Sequence, residues 1–142
     1  QTAEAIKDRA LTAGVEAPKV IGVTILTSLS QQAIREELKI SHSMADEVLH
    51  LACLAQKAGL DGVVTSPWEI REIKEVCGED FLTVVPGIRP RWAAPGDQAR
   101  HMTPAQAVKE GADLLVIGRP ILGAPDPLAA VNKIIQEMEE VK

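Results

Sequence analysis

Short apolar runs alternate with amphipathic segments along the whole chain. Residues 19–26 (KVIGVTIL) form a continuous β-branched run, which predicts a strand covered on both faces. Shorter runs at 61–66 (DGVVTS), 81–85 (FLTVV) and 113–118 (DLLVIG) predict three more strands. Apolar residues recur at helical spacing before the first run and after each of the four. The pattern predicts a single domain, residues 1–142, built as a helix followed by four β-α units around a parallel sheet.

Capping residues and glycines set the expected helix boundaries. The first helix, predicted over residues 2–13, stops at Gly14. Ser43, Thr103 and Asp126 are residue types that cap helix N-termini, and proline follows the last two in the first helical turn. The chain has no Tyr, one Phe and two Trp, so the core between these elements must be aliphatic.

Charge and cysteine usage narrow the class of protein. The net charge of -5 argues against a general nucleic-acid or membrane-surface binder, because both rely on a basic field. No apolar stretch approaches 18 residues, and the first residues carry charges without an apolar targeting segment. Cys53 and Cys77 have neither metal-site nor disulfide-framework spacing and are predicted to be free thiols. We expect a cytoplasmic protein without nucleic-acid or membrane partners.

Four β-α units fit either a small open sheet or half of an eight-stranded (β/α)8 barrel. In barrels the chemistry lies on the loops that follow the strands. Here those loops carry Thr27-Ser28, Thr65-Ser66, the segment 87–98 and Gly118-Arg119. The loops at the opposite edge carry only glycine-containing sequences that end helices. The polar residues of interest therefore fall on one rim of the predicted sheet.

Two of these loops have the composition of a phosphate site. In VIGRPI (116–121), Gly118 allows backbone N–H groups to approach phosphate oxygens. Arg119 adds a guanidinium group, which can donate two parallel hydrogen bonds, at the start of a helical turn. Arg89 and Gln98 lie on the loop after the third predicted strand. We predict that Arg89 and Arg119 contact a phosphate, and that Arg91 and Arg100 are solvated surface charges.

No catalytic group or metal ligand is predicted. The three histidines lack metal-ligand spacing, the serines of the rim lack a nucleophile-elbow context, and no organic cofactor motif occurs. Asp61 and Asp113 begin strands on the opposite rim and are expected to have structural roles. Asp97 and Asp126 lie closer to the ligand rim, but each has the context of a turn or helix cap. The rim is therefore predicted to bind a ligand, and no acid, base or nucleophile is assigned to it.

Four segments, VTILTSLS, GLDGVVTSPWE, VVPGIRP…DQARHMTPAQA and GADLLVIGRPILGAPDPLAA, resemble the second half of the bacterial orotidine 5′-phosphate decarboxylase family in order and spacing. The resemblance runs from about residue 3 to the end. It implies a (β/α)8 barrel, normally a homodimer, that converts orotidine 5′-monophosphate to UMP and CO2 without metal or organic cofactor. By position, Thr27 is implied to contact the pyrimidine, Arg89 and Gln98 to reach the phosphate and base, and Gly118 and Arg119 to form the main phosphate grip.

The chain departs from this family in one respect. The family's catalytic Lys and Asp array lies on early strands, chiefly in a D-x-K-x-x-D motif, and that motif does not occur in these 142 residues. The chain therefore resembles strands five to eight with the preceding helix. We expect a half barrel that is inactive alone and associates with a copy of itself or with a missing N-terminal half. Two alternatives are another phosphate-binding barrel, such as a sugar-phosphate decarboxylase or epimerase, and a half barrel that assembles without catalysis.

Overall fold

The computed structural model describes residues 1–93 and 100–141. A parallel four-stranded sheet has the order β1-β2-β3-β4, so neighbours in sequence are neighbours in space. The strands are β1 Ile21–Val23, β2 Gly62–Val64, β3 Leu82–Val85 and β4 Leu114–Leu115. The helices are α1 Thr2–Thr12, α2 Gln31–Glu36, α3 Met44–Lys57, α4 Ile70–Cys77, α5 Pro104–Lys109, α6 Arg119–Leu122 and α7 Pro127–Glu139.

The predicted order of elements is confirmed, and the predicted caps form. The hydroxyls of Ser43 and Thr103 accept hydrogen bonds from backbone N–H groups in the first turns of α3 and α5, and Asp126 does the same for α7. The strands are shorter than the apolar runs suggested: β1 and β2 have three residues each, β3 has four and β4 has two.

One face of the sheet packs against helices. Gly22 lies beneath α3 and its C-terminal turn, where an added Cβ would stand 2.9 Å from Leu60 Cδ2. Val63, the next strand's residue in register with Gly22, packs in a buried cluster with residues of α3 and α4. Val85 belongs to a second buried cluster with Ile70 of α4 and further residues around α5. The aliphatic core predicted from the composition therefore lies between the sheet and this helical layer.

The opposite face of the sheet carries an apolar row that spans all four strands. Its members are paired in register across the strands: Val23, Val64, Val84 and Leu114. We call this row the open face. Val23 and Leu114, at its two ends, are 61% and 54% exposed. The expectation that residues 19–26 are covered on both faces is therefore wrong at Val23, which is mostly exposed in the described chain.

Hydrogen bonds of charged side chains connect helices to the beginnings of the strands. Asp113 accepts hydrogen bonds from the buried Lys74 Nζ at 2.7 Å and from the backbone N–H of Thr83 at 2.7 Å. Asp61 accepts from the N–H of Val20 at 2.8 Å and from Lys7 Nζ at 3.0 Å. Both carboxylates thus have the structural role that the sequence predicted.

The pKa of Asp113 reflects this environment. Partial burial alone would raise its pKa, but hydrogen bonds from Lys74 and Thr83 outweigh burial and hold the pKa below the usual aspartate value. A depressed pKa in the folded state means that the ionised carboxylate stabilises the fold above the unfolded-state pKa of about 3.9. The stabilisation is lost as the pH falls through the lower, folded-state pKa.

Asp113→Asn is therefore expected to lower the free energy of unfolding by about 2 kcal/mol at pH 7, because Lys74 keeps its charge without its anionic partner. The difference from the unsubstituted chain should shrink as the pH falls below about 4. Urea denaturation at pH 7, 5 and 3 measures it, with the exposed Asp80→Asn as the matched control. A difference that grows on acidification would contradict this role of Asp113.

Both cysteines are free, as predicted. Burial, followed by the proximity of Cys53, raises the pKa of the Cys77 thiol to about 11. Cys77 therefore stays protonated at neutral pH and packs as a small apolar residue. Within the described ranges, no helix has both the length and the apolar character needed to cross a bilayer.

Candidate phosphate and base site

The loops that follow the four strands converge at one edge of the sheet, because parallel strands all end on the same side. Arg89 and Arg119 line the same open cavity there, which has a volume of about 410 Å³. The indole of Trp92 and the ring of Pro120 form part of its wall. The structure thus brings together the two arginines that the sequence selected.

Arg89 is held at the base of its loop. Gly87 turns the chain after β3 with a φ of +78°, a conformation that favours glycine. Ile88 then forms a parallel bridge with Met102, and the N–H of Arg89 donates to the carbonyl oxygen of Met102 at 2.8 Å. The Arg89 Nη1 donates to the carbonyl oxygen of Ile88 at 2.9 Å, and the residue is only 8% exposed. Its guanidinium is therefore fixed by its surroundings before any ligand arrives.

Arg119 opens the short helix α6 directly after β4. The carbonyl oxygen of Gly118 accepts hydrogen bonds from the N–H groups of Ile121 and Leu122 at 2.9 and 3.0 Å. A Cβ added at Gly118 would meet no other atom within 4 Å, so the space beside this backbone is open. Arg119 is exposed, in contrast to Arg89. The cavity is therefore lined by one buried and one exposed arginine.

Thr27 lies in a separate, smaller cavity of about 130 Å³ at the ends of β1, β2 and β3. Ile25, Val64 and Pro86 give that cavity an apolar lining. The loop after β3 contributes Pro86 to this cavity and Arg89 to the larger one. The sequence placed Thr27 and the two arginines on one rim. In the structure they line two separate, neighbouring cavities. Gln98 lies outside the described residues.

The prediction that Arg100 is a solvated surface charge is wrong. Arg100 is 5% exposed, and its Nη1 donates to Glu69 Oε1 at 2.9 Å. Its guanidinium can be buried because Glu69, also buried, neutralises it. A single sequence contains no signal for this pair, since the two residues are separated by 31 positions. Arg91 does remain largely solvated: its side chain is 66% exposed, and its guanidinium lies 3.9 Å from Glu137 and 3.6 Å from Glu140, at the C-terminal end of the last helix.

The histidines and acidic residues do not form a metal centre in the part of the chain that the structure describes. There, no three of the His, Cys, Asp and Glu side chains lie close enough together to hold an ion. His42 instead contacts Glu47 Oε2 at 3.2 Å at the start of α3.

The chain is similar to known proteins over nearly its whole length. Residues 1–134 match the model of the "Orotidine 5'-phosphate decarboxylase / HUMPS family". The chain is 51% identical over 140 residues to an orotidine 5′-phosphate decarboxylase from Moorella thermoacetica, covering 99% of this chain and 56% of the relative. A relative of the same name from Nostoc is 48% identical over 97% of this chain and 58% of its own length.

A crystal structure of orotidine 5′-phosphate decarboxylase from Lactobacillus acidophilus superposes with a TM-score of 0.77 at 40% identity. The match covers 96% of this chain and 57% of that one. The chain thus spans a little over half the length of the relatives it matches.

Proposed function

Because the chain belongs to the orotidine 5′-phosphate decarboxylase / HUMPS family, we propose that it binds the phosphate and the pyrimidine of orotidine 5′-monophosphate and of its product, UMP. The observation that carries this proposal is the pair Arg89 and Arg119 on one cavity at the ends of parallel strands. Two guanidinium groups that line one cavity can hold an anion by charge-assisted hydrogen bonds, even in a chain whose net charge is -5.

The phosphate is assigned to the larger cavity. Arg119 is an exposed residue whose guanidinium has the geometry for a two-point, charge-assisted pair with phosphate oxygens, and the Arg89 Nη1 already donates to the carbonyl oxygen of Ile88. The space that a Cβ at Gly118 would occupy is empty, which leaves room for a phosphate oxygen close to this part of the backbone. Dianionic ligands without a base are expected to bind here too, but more weakly than a nucleotide.

The pyrimidine is assigned to the smaller cavity. Ile25, Val64 and Pro86 offer apolar contacts to the faces of a flat ring, and the hydroxyl of Thr27 can hydrogen-bond to its polar edge. Gln98, by its position in the family's motif, is assigned to the contact between phosphate and base. Pro86 lines the smaller cavity and Arg89 the larger one, so we expect the ribose to lie beside residues 86–89.

We also propose that residues 1–142 form a single unit equivalent to strands five to eight of a (β/α)8 barrel with the helix before them. The open face supports this proposal, because its apolar row corresponds to side chains that would point into a barrel. The one-sided helical layer supports it as well, since the open doubly wound sheet has helices on both faces.

The chain is proposed to contribute binding rather than chemistry to decarboxylation. The D-x-K-x-x-D motif is absent from its sequence, and none of the rim residues described above is an unpaired acid or base. The alternatives of a sugar-phosphate decarboxylase or epimerase draw no support from the relatives, which are named as orotidine 5′-phosphate decarboxylases. Ligand preference separates these functions directly.

Arg119→Ala is expected to weaken UMP binding to the chain about tenfold or more, because a charged hydrogen bond contributes about 1.5–3 kcal/mol. Isothermal calorimetry measures the change. The UMP affinity of Arg119→Lys is expected to lie between those of the unsubstituted chain and of Arg119→Ala. The matched control is Arg91→Ala, which removes an exposed guanidinium from the same rim without touching the cavity.

Ribulose 5-phosphate is the competing ligand in the same experiment. UMP is expected to bind more tightly to the unsubstituted chain, because only the nucleotide can fill the cavity beside Thr27. Equal UMP affinity for Arg119→Ala and the unsubstituted chain would refute the assignment of the phosphate. Tighter binding of ribulose 5-phosphate than of UMP would refute the assignment of the base.

A further inference from the structure

A buried ion pair lies between the loops of the rim without lining either of the two ligand cavities. Arg100 Nη1 donates to Glu69 Oε1 at 2.9 Å, and Arg100 Nη2 donates to the carbonyl oxygen of Leu26 at 3.3 Å. The second oxygen of Glu69 accepts from the hydroxyl of Ser66. We call these four residues the Glu69–Arg100 network.

The network joins three loops that are distant in sequence. Leu26 follows β1 and directly precedes Thr27, and Ser66 and Glu69 follow β2. Arg100 stands near the end of the segment that begins at Arg89, after β3, and the two ends of that segment are closed by the bond from the Arg89 N–H to Met102. One guanidinium therefore links the loop that carries Thr27 to the loop that carries Arg89.

Burial gives this link a defined geometry. The side chains of Arg100 and Glu69 are each only 6% exposed, so either charge would be costly without the other. Both Glu69 oxygens are used, and the Ser66 hydroxyl accepts a further bond from the N–H of Trp68 at 3.2 Å. A buried pair of this kind contributes less to net stability than to fixing one arrangement of the groups around it.

We propose that Arg100 is a positioning residue for the base subsite: through the carbonyl of Leu26 it sets the place of Thr27 relative to the arginines of the phosphate cavity. This inference rests on the proposed function. Arg100 acts through Leu26 and does not touch the ligand. Its loss therefore impairs the simultaneous fit of base and phosphate, while the phosphate cavity itself is left intact.

The test compares two ligands that share a phosphate and differ in the base. UMP and ribose 5-phosphate are titrated by calorimetry into the unsubstituted chain and into Arg100→Met. We expect about tenfold weaker UMP binding in the variant, with the affinity for ribose 5-phosphate within about twofold of the original. Arg100→Lys is expected to lose part of the UMP affinity. A single ammonium group cannot contact both Glu69 and the Leu26 carbonyl as the planar guanidinium does.

A second variant covers the case in which Arg100→Met fails to fold because Glu69 is left buried and unpaired. Glu69→Gln combined with Arg100→Met removes both charges and keeps an acceptor for the Ser66 hydroxyl. It still lacks the bond to Leu26, so the same selective loss of UMP affinity is expected. Arg91→Met is the control for removal of an arginine from this rim.

Two results would overturn the inference while leaving the proposed function standing. One is an unchanged ratio of UMP to ribose 5-phosphate affinity in the folded double variant. The other is an equal loss for both ligands, which would mean that the network supports the fold in general. Failure of the unsubstituted chain to bind UMP would instead overturn the proposed function, and this inference with it.

Discussion

Orotidine 5′-monophosphate is expected to lose CO2 no faster in the presence of this chain than in buffer. Enzymes commonly lower barriers enough to accelerate reactions by about 10⁶-fold or more, and that reduction has to come from groups placed at the reacting atoms. The resemblance assigns those groups to the D-x-K-x-x-D motif, which this sequence does not contain. Arg89 and Arg119 would hold only the phosphate, far from the bond that breaks.

The measurement is the absorbance change on conversion of orotidine 5′-monophosphate to UMP, with a full-length relative as the positive control. The chain should be assayed at high concentration, so that a weak activity would be seen. The proposal would be contradicted by turnover that is well above the buffer rate and that falls in the Arg119→Ala variant. Such a result would show that this chain holds its own catalytic group. The Arg119→Ala comparison also excludes a contaminating decarboxylase.

Complementation extends the same experiment. A polypeptide comprising the part of the Moorella thermoacetica relative that this chain does not match is mixed with the chain and refolded. Activity is expected in the mixture and in neither component alone. The Arg119→Ala chain should support less activity in the mixture, since the phosphate grip remains part of the restored site.

The type and order of the elements could be predicted from the sequence because each apolar run is bounded by glycines, prolines or capping residues. The lengths could not. The run at 19–26 contains a three-residue strand, Ile21–Val23, since strand length depends on overlap with the neighbouring strand. The exposure of Val23 also escaped prediction, because an apolar run looks the same whether its second face is covered by the chain itself or by another polypeptide.

Among the rim residues, too, some positions could be predicted from the sequence and others could not. Arg89 and Arg119 were predictable because each closely follows a strand end, and parallel strands end at a common edge. Arg100 was not, because its environment depends on Glu69 and on the Leu26 carbonyl, 74 positions away. The separation of Thr27 from the arginines into two cavities likewise depends on how the loops pack, which local spacing does not reveal.

The chain is expected to associate in solution at micromolar concentration, either with a copy of itself or with an N-terminal half barrel. The open face presents apolar side chains in register across all four strands, and contiguous apolar patches beyond a few hundred Å² rarely stay exposed on soluble monomers. β1 and β4 are also edge strands with unpaired backbone groups, which favours strand addition. Sedimentation velocity is expected to give a mass at least twice that of the 15.2 kDa chain.

Val23→Lys and Leu114→Lys are expected to weaken this association on the order of a hundredfold each, because an interface that covers the open face would have to bury the new charge. The matched control is Val76→Lys. Val76 is 57% exposed, close to Val23 and Leu114, but lies on α4 in the helical layer, so this variant should associate like the unsubstituted chain. A stable, non-aggregating monomer would refute the half-barrel proposal, and association that is indifferent to lysine at positions 23 and 114 would show that another surface is responsible.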